Sequence, residues 1–186
     1  MNIPQSSFKR IVIVGGGFGG IALAKRLCRQ EFQVVLMDKH NYHTFQPLLY
    51  QVSTGGLEPD SIAYPIRKVL QGYPDFYFRM TEVLKVDPIK NEVYTTIGEL
   101  KFDYLIIATG TKTNYFGNAS IAKNSMAMKT VPQSLNLRSL ILENFEQALL
   151  TDDLHEREAL MNLVIVGGGP TGVELAGALA EIKKGI

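Results

Sequence analysis

A glycine-rich segment that occurs twice is the feature that most constrains the fold of this chain. Residues 11–27, IVIVGGGFGGIALAKRL, align without gaps on residues 163–179, LVIVGGGPTGVELAGAL, and ten positions are identical. Each copy has a β-branched run, a glycine cluster and apolar residues at helical spacing, a pattern that predicts strand, turn and helix. The sequence therefore predicts two units of the kind from which dinucleotide-binding domains are built.

The glycines of the first copy have separate physical roles. Gly15 is suited to the tight turn, Gly17 to close approach of the backbone to a pyrophosphate, and Gly20 to close packing of helix on strand. The start of the helix adds N–H groups and the positive end of the helix dipole, both of which favour a phosphate. The same positions of the second copy are held by Gly167, Gly169 and Gly172. A turn that serves packing alone is the alternative for each copy.

The residues that follow the first copy strengthen the dinucleotide interpretation. FQVVLMD, residues 32–38, predicts a second strand that ends in Asp38, 23 residues after Gly15. A carboxylate at this place accepts hydrogen bonds from the ribose hydroxyls of an adenine nucleotide. The same interval from Gly167 reaches position 190, beyond the 186 residues of the chain. The acid that would distinguish NADH from NADPH in the second copy is therefore not in this sequence.

Between the copies the sequence predicts a helix over 61–70 and a long helical stretch over 132–157. The predicted strands are residues 75–80, 81–87 and 92–96, read as an inserted β-meander, and a buried strand that ends at Ala108, Thr109 and Gly110. Together these elements predict an α/β chain with a Rossmann-like three-layer fold, a parallel sheet, helices and the inserted meander. The second Rossmann unit is truncated. The predicted division is 1–158 for the first domain and 159–186 for the first strand and helix of the second.

Composition excludes several classes of function. The formal net charge is +1, which gives no general attraction to nucleic acid. The longest apolar runs are far shorter than the ~20 residues that span a bilayer, and MNIPQSSFKR has no signal-peptide character. Cys28 is the only cysteine, which excludes an internal disulfide, and it is interpreted as a core residue. His40 and His43 are interpreted as polar loop contacts, with phosphate or flavin contact as the alternative.

Two fingerprints with an ATG-type strand between them resemble the two-dinucleotide flavoprotein reductases. Within that superfamily, HNYHTFQPLLYQVSTGGLEPDSIAYPIR and ATGTKTNYFGN closely resemble type II NADH dehydrogenases, the single-subunit NADH:quinone oxidoreductases. The resemblance covers essentially the whole chain and implies a protein more than twice as long. It implies FAD in the first site and NADH in the second, with hydride transfer to the flavin and electron transfer to a quinone.

The resemblance also assigns residues to the two cofactors. Those implied at FAD are Gly15, Gly17 and Gly20 at the pyrophosphate, with Phe18 as a further cofactor-binding residue, and Asp38 and Lys39 at the ribose. The others are Thr44, Phe45, Gln46 and Pro47 beside the isoalloxazine, Val83 at the adenine, and Ala108, Thr109 and Gly110 near the flavin. Those implied at NADH are Gly167, Gly169, Thr171, Gly172 and Glu174. Glu174, expected in the first turn of the second helix, is the candidate catalytic residue, supplying or positioning protons for quinone reduction. Stabilisation of the helix start is the alternative role of Glu174.

The 186 residues are expected to be the N-terminal part of a longer enzyme and to be inactive alone. We expect a cytoplasmic location, with the complete protein peripheral on the cytoplasmic face of the inner membrane through a C-terminal region beyond Ile186. Unpaired strand edges predict self-association, such as a homodimer. Two rival functions remain: a soluble FAD-dependent reductase of a protein acceptor such as ferredoxin, and a non-catalytic nucleotide-binding module.

Overall fold

The computed structural model describes residues 1–184, which form two compact units. Unit 1 consists of residues 1–43 and 64–111, and unit 2 of residues 44–63 and the chain from residue 112 onward. The strands are β1 (Lys9–Val14), β2 (Phe32–Asp38), β3 (Tyr42–Thr44), β4 (Ala63–Pro65), β5 (Phe76–Met80), β6 (Val83–Asp87), β7 (Glu92–Thr95), β8 (Gly98–Lys101) and β9 (Tyr104–Ile107). The helices are α1 (Phe18–Leu27), α2 (Leu49–Ser53), α3 (Ile66–Val69), α4 (Ala119–Asn124), α5 (Val131–Leu150), α6 (Leu154–Met161) and α7 (Pro170–Lys184), with 3₁₀ turns at Gln46–Leu48 and Pro59–Ser61.

A four-stranded parallel sheet forms the centre of unit 1. Its order is β5-β2-β1-β9, so the chain runs outward from β1 to one side and later returns on the other side of β1. The β-branched run of the first copy is β1, whose Ile11 lies opposite Val34 of β2 and Tyr104 of β9. This reversal of strand order next to β1 is where open α/β sheets bind their ligands, at the carboxyl ends of the strands.

Both faces of the parallel sheet are covered, which explains why β1 is apolar from Ile11 to Val14 and β2 is apolar except at Gln33 and Asp38. Ile13 and Leu36 face a core that includes Ile21 and Ala24 of α1. On the other face, Val12, Val35 and Met37 pack in a core with residues of the antiparallel sheet β6-β7-β8. Helix, parallel sheet and antiparallel sheet are therefore three layers, and the predicted three-layer α/β fold with an inserted meander is confirmed.

The composition of the meander differs from the prediction. Residues 75–80 do not belong to it, because β5 pairs in parallel with β2 at the edge of the central sheet. The third meander strand is β8, which pairs with β7 and which the sequence had merged with the buried strand β9. A turn at Phe102 and Asp103 separates β8 from β9, and Asp103 accepts the Arg10 backbone N–H at 2.7 Å.

Two predicted helices are shorter than expected. The helix over 61–70 is wrong except for α3, because Pro65 lacks an N–H and restricts the residue before it, so Ala63–Pro65 is a strand. The helical stretch over 132–157 is divided between α5 and α6 at Thr151. Asp153 caps α6 by accepting backbone N–H groups of His155 and Glu156. A capping aspartate favours a new helix start over continuation of the preceding helix.

Unit 2 is helical. Helix α2 packs against α5 and α7, and α6 packs against α5. A half-exposed ion pair joins Arg138 of α5 to Glu58 at 3.4 Å. Helices α5, α6 and α7 all belong to unit 2. The predicted division of the chain into domains at residue 158 stays a prediction.

Candidate functional site: the two glycine turns

The first glycine turn is held between three strands of unit 1. Gly15 follows β1 directly, and its N–H donates to the Met37 carbonyl of β2 at 2.8 Å. Its φ of +114° lies in the region that side chains rarely adopt, and a Cβ at Gly15 would overlap the Ala108 carbonyl oxygen. Ala108 itself donates to the Val14 carbonyl at 2.8 Å. Only glycine fits at position 15, because both the backbone angle and the neighbouring chain exclude a side chain.

Helix α1 begins directly after this turn with an open N-terminal end. Gly17 is the N-cap, no described side chain caps it, and the first turn contains no acidic residue. A Cβ on Gly17 or Gly19 would meet nothing within 4 Å, whereas one on Gly20 would overlap the Gly15 carbonyl oxygen. The turn is therefore packed tightly on its inner side and open at Gly17 and Gly19. This is the arrangement that anion binding at a helix start requires.

The carboxyl end of β2 lies beside the turn. Asp38 is half-buried; one carboxylate oxygen accepts the Gly16 N–H at 2.5 Å and the other the His40 N–H at 2.8 Å. The Asp38 carbonyl accepts the Thr81 N–H at 2.8 Å, so the segment before β6 passes along the end of β2. The structure thus brings Asp38 to the glycine turn, as expected for a ribose-binding acid. The two backbone N–H groups occupy part of its accepting capacity, because each carboxylate oxygen has about two acceptor positions.

Lys39 and Val83, assigned to the ribose and adenine, lie at the same edge of unit 1. Lys39 forms an ion pair with Glu82, the residue before Val83. Both side chains of this pair are largely exposed, so its contribution to stability is small. Glu82 is a residue that the sequence interpretation missed. The sequence signal for this ion pair was the opposite charge of Lys39, just after β2, and Glu82, just before β6.

His43 contacts the glycine turn from the segment that follows β2. Its Nδ1 lies 3.1 Å from the Gly16 carbonyl oxygen. Its ring meets the Phe18 ring edge-on, with centroids 4.9 Å apart. His43 makes a polar contact, as interpreted, but it lies within the short strand β3 and not in a loop, and the group it contacts is the Gly16 carbonyl.

The flavin-loop candidates fall at the start of unit 2. Thr44 ends β3, the Phe45 N–H donates to the Ile62 carbonyl at 2.8 Å, and Gln46 and Pro47 begin a 3₁₀ turn. The side chains of Phe45, Gln46 and Pro47 are exposed. Their assignment to the isoalloxazine remains a prediction. In unit 1, Thr109 and Gly110 follow Ala108 beyond the end of β9, and Gly110 has a φ of +69°.

The second glycine turn repeats the local geometry of the first. Gly167 has a φ of +118°, and a Cβ on Gly172 would overlap the Gly167 carbonyl oxygen and lie 3.5 Å from Ile165 Cγ2. In the first copy the corresponding distance, from a Cβ on Gly20 to Ile13 Cγ2, is 3.4 Å. Space is open at Gly169, and Thr171 is exposed at the start of α7.

The predicted strand before this second turn is not formed. Residues 163–166 pair with no other strand in the part of the chain that the structure describes, and Val164 and Val166 are 81% and 62% exposed. A strand needs a neighbour to complete its hydrogen bonds. A Cβ on Gly167 would meet nothing within 4 Å in the described structure, whereas a Cβ on Gly15 would overlap the Ala108 carbonyl oxygen.

Glu174 lies one turn deeper in its helix than expected. Helix α7 begins at Pro170 and has no acidic residue in its first turn, so the expected first-turn position is wrong. The Glu174 side chain is exposed. Interaction with the helix dipole falls off within the first turn, which weakens the alternative role of stabilising the helix start.

Three further findings concern groups outside the two glycine turns. Cys28 is buried, and burial raises the pKa of its thiol to about 11, so it is a protonated core residue at neutral pH. Over residues 1–184, no group of three metal-ligating side chains is found, and no helix is long and apolar enough to cross a membrane.

The first turn has a geometry that fits the diphosphate of a dinucleotide such as FAD. Its inner side admits no side chain at Gly15 or Gly20, its outer side is open at Gly17 and Gly19, and a carboxylate lies beside it. These are the packing, access and ribose-binding elements of a dinucleotide site.

Comparison with known proteins identifies the family. The model of the pyridine nucleotide-disulphide oxidoreductase family matches residues 9–186. The type II NADH:quinone oxidoreductase Ndh of Mycobacterium tuberculosis is 39% identical over 94% of this chain and 39% of its own length. The mitochondrial external alternative NAD(P)H-ubiquinone oxidoreductase B2 of Arabidopsis thaliana is 33% identical over 93% of this chain and 32% of its own length.

A solved structure agrees with these relatives. NDH2 of Plasmodium falciparum in complex with NADH superposes with a TM-score of 0.85 at 28% identity, covering 95% of this chain and 39% of that one. The chain therefore spans between about a third and two fifths of the length of the relatives it matches.

Proposed function

We propose, from the premise that this chain belongs to the pyridine nucleotide-disulphide oxidoreductase family, that its first glycine turn binds FAD in an NADH:quinone oxidoreductase. The observation that carries the proposal is the first turn itself, closed on its inner side and open at Gly17 and Gly19. Bound there, FAD would supply hydride acceptance from NADH and two-electron transfer to a quinone.

The residues of unit 1 account for binding and orientation. The N–H groups at the start of α1 hold the pyrophosphate, and Asp38 receives the ribose beside them. Lys39, Glu82 and Val83 are proposed to lie near the adenine. In support, Lys39 pairs with Glu82, and the segment before β6 is bonded to the carboxyl end of β2. Ala108, Thr109 and Gly110, which follow β9, are proposed to lie near the flavin. Thr44 and the exposed residues Phe45, Gln46 and Pro47 are proposed to lie beside its ring.

The second turn is proposed as the NADH site of the complete protein. Gly167, Gly169 and Gly172 repeat the backbone geometry of the first turn, and Thr171 lies at the helix start. Quinone specificity, a homodimer and peripheral attachment to the cytoplasmic face of the inner membrane belong to the same proposal for the complete protein. The relatives that are NADH:quinone oxidoreductases support the quinone as acceptor. The sequence resemblance supports attachment to the membrane, and unpaired strand edges support the homodimer.

FAD binding is tested by titrating the purified chain with FAD and following flavin fluorescence. Gly17→Asp is the decisive variant, because Gly17 is an N-cap with extended backbone, a position that accepts aspartate and keeps the helix stable. The new carboxylate would repel the pyrophosphate. Gly17→Asn caps equally well without the charge and is the matched control, so it should weaken binding less. FAD binding by Gly17→Asp equal to that of the unaltered chain would refute the site.

The acceptor is tested in the complete protein. Oxidation of NADH with a soluble quinone, and not with ferredoxin, is the expected result; the reverse result would favour a reductase of a protein acceptor. Bound FAD without NADH oxidation would indicate a nucleotide-binding module.

Glu174 is proposed to supply or position protons for quinone reduction, since its carboxyl group is exposed on α7. Glu174→Gln should slow quinone turnover, whereas unchanged turnover across pH would contradict this role. Glu181→Gln, on the same helix, is the matched control.

A further inference from the structure

The backbone of Gly16 is held at both of its polar groups by side chains from the segment after the turn. Its N–H donates to Asp38 at 2.5 Å, and its carbonyl oxygen lies 3.1 Å from His43 Nδ1. A carbonyl oxygen can only accept a hydrogen bond, so Nδ1 of His43 must carry the hydrogen. The two side chains therefore determine the orientation of both peptide planes that meet at Gly16.

The orientation of the second peptide plane matters for a ligand. The Gly16 carbonyl and the Gly17 N–H belong to the same peptide group, and no cis peptide is found among the described residues. In a trans peptide the C=O and N–H point in opposite directions. A carbonyl that faces His43 therefore directs the Gly17 N–H away from His43, and Gly17 is the N-cap bordered by open space.

We infer that His43 is a positioning residue for the pyrophosphate site: by donating from Nδ1 to the Gly16 carbonyl, it presets the Gly17 N–H for a bound diphosphate. Asp38 holds the other polar group of Gly16 by accepting its N–H, and we call these two contacts the Gly16 clamp. Edge-on contact with Phe18 limits rotation of the His43 ring. The inference rests on the proposed function, because it assigns a role toward the diphosphate of FAD.

Preorganisation of this kind improves binding because the ligand does not have to orient the peptide itself. Neither residue needs to touch the diphosphate for this effect. The clamp also explains why an imidazole lies at this turn although the proposed hydride chemistry requires no general base.

Two substitutions of His43 distinguish the effect of its hydrogen bond from the effect of its aromatic ring. His43→Phe keeps an aromatic ring against Phe18 and removes the donor. His43→Asn keeps an N–H donor at the same number of bonds from Cα as Nδ1. His155→Phe makes the same chemical change at an exposed helical position of unit 2 and is the matched control. Circular dichroism of each variant shows whether it is folded.

The first measurement needs no ligand. Long-range ¹H–¹⁵N spectra of the labelled chain, recorded at about pH 8 where ordinary histidines are neutral, should show hydrogen on Nδ1 of His43. The Gly16 carbonyl ¹³C shift should change in His43→Phe and stay unchanged in His155→Phe. Hydrogen on Nε2 with a bare Nδ1 would overturn the clamp.

The second measurement is the dissociation constant for FAD, and for ADP, which shares the diphosphate. His43→Phe should weaken both by about tenfold, the equivalent of one hydrogen bond. His43→Asn should restore binding to within about threefold, and His155→Phe should have no effect. Equal affinities of His43→Phe and the unaltered chain would overturn the positioning role. Failure of the unaltered chain to bind FAD would instead refute the proposed function, and the spectra would still decide on the clamp.

Discussion

Replacing Gly20 by alanine is predicted to destabilise unit 1, although alanine is normally the better helix former. Alanine in a helix is favoured over glycine by about 0.8–1 kcal/mol. A Cβ at Gly20, however, would overlap the Gly15 carbonyl oxygen and lie 3.4 Å from Ile13 Cγ2. Gly15 cannot yield, because its N–H is bonded to Met37 and its Cα lies against Ala108. Overpacking of this kind costs about 1–3 kcal/mol, so we expect net destabilisation.

Gly19→Ala is the matched control, since a Cβ there meets nothing within 4 Å. It should raise stability by about 0.5–1 kcal/mol. A chain of this size shifts its Tm by about 2–4 °C per kcal/mol. After the helix-propensity gain of alanine is subtracted, the net loss for Gly20→Ala is up to about 2 kcal/mol, so its Tm should fall by up to about 8 °C. Gly19→Ala should raise the Tm by roughly 1–4 °C.

Thermal unfolding followed by circular dichroism, without added nucleotide, measures both effects. Gly172→Ala extends the test, because its Cβ would overlap the Gly167 carbonyl in the same way. The described structure places no neighbour within 4 Å of a Cβ on Gly167, so this turn can shift, and the loss should be smaller than for Gly20→Ala. Gly20→Ala as stable as the unaltered chain, or Gly19→Ala equally destabilised, would refute the packing argument.

Three further predictions concern groups outside the turns. Burial raises the pKa of the Cys28 thiol from 9.0 to about 11. The contribution of this shift to the unfolding free energy is present below pH 9 and is lost as the pH rises through 11. Cys28→Ala should therefore make the unfolding free energy, measured by urea unfolding, less dependent on pH between 9 and 11. Gln33 is fully buried and accepts from Arg10 Nε at 2.6 Å, so Gln33→Leu should lower the unfolding free energy by about 1–3 kcal/mol, and an unchanged urea midpoint would contradict this. Val166 is 62% exposed, and Val166→Asp should reduce self-association of the chain in light scattering, whereas a monomer at all concentrations would contradict the predicted association.

Much of unit 1 could be predicted because its signals are local. The β-branched run of β1, the glycine spacing and the strand that ends in Asp38 each follow from short-range sterics and periodicity. The contact between His43 and Gly16 could not be deduced from the sequence. It depends on how the segment after β2 folds back, which residues 27 positions apart do not encode in their spacing.

The errors arose where tertiary structure or a single residue overrides a pattern. Residues 75–80 have the composition of a meander strand, yet they pair with β2, and pairing partners are not visible in strand composition. Pro65 ended a helical pattern that continues on both sides of it. The run at 163–166 has the same residue pattern as β1, but it lacks a paired neighbour among the described residues, so its β propensity is not expressed as a strand.

The second glycine turn keeps its shape without the sheet that surrounds the first. Gly167 and Gly15 differ by only four degrees in φ, at +118° and +114°, although Gly15 contacts a neighbouring strand and Gly167 contacts none that the structure describes. The shape of the bend therefore does not require a paired strand beside it, because the residues before and after Gly167 adopt it without one in the described structure. A turn that keeps its shape outside a sheet tolerates duplication within a gene, because the new copy does not need the neighbours of the old one to form.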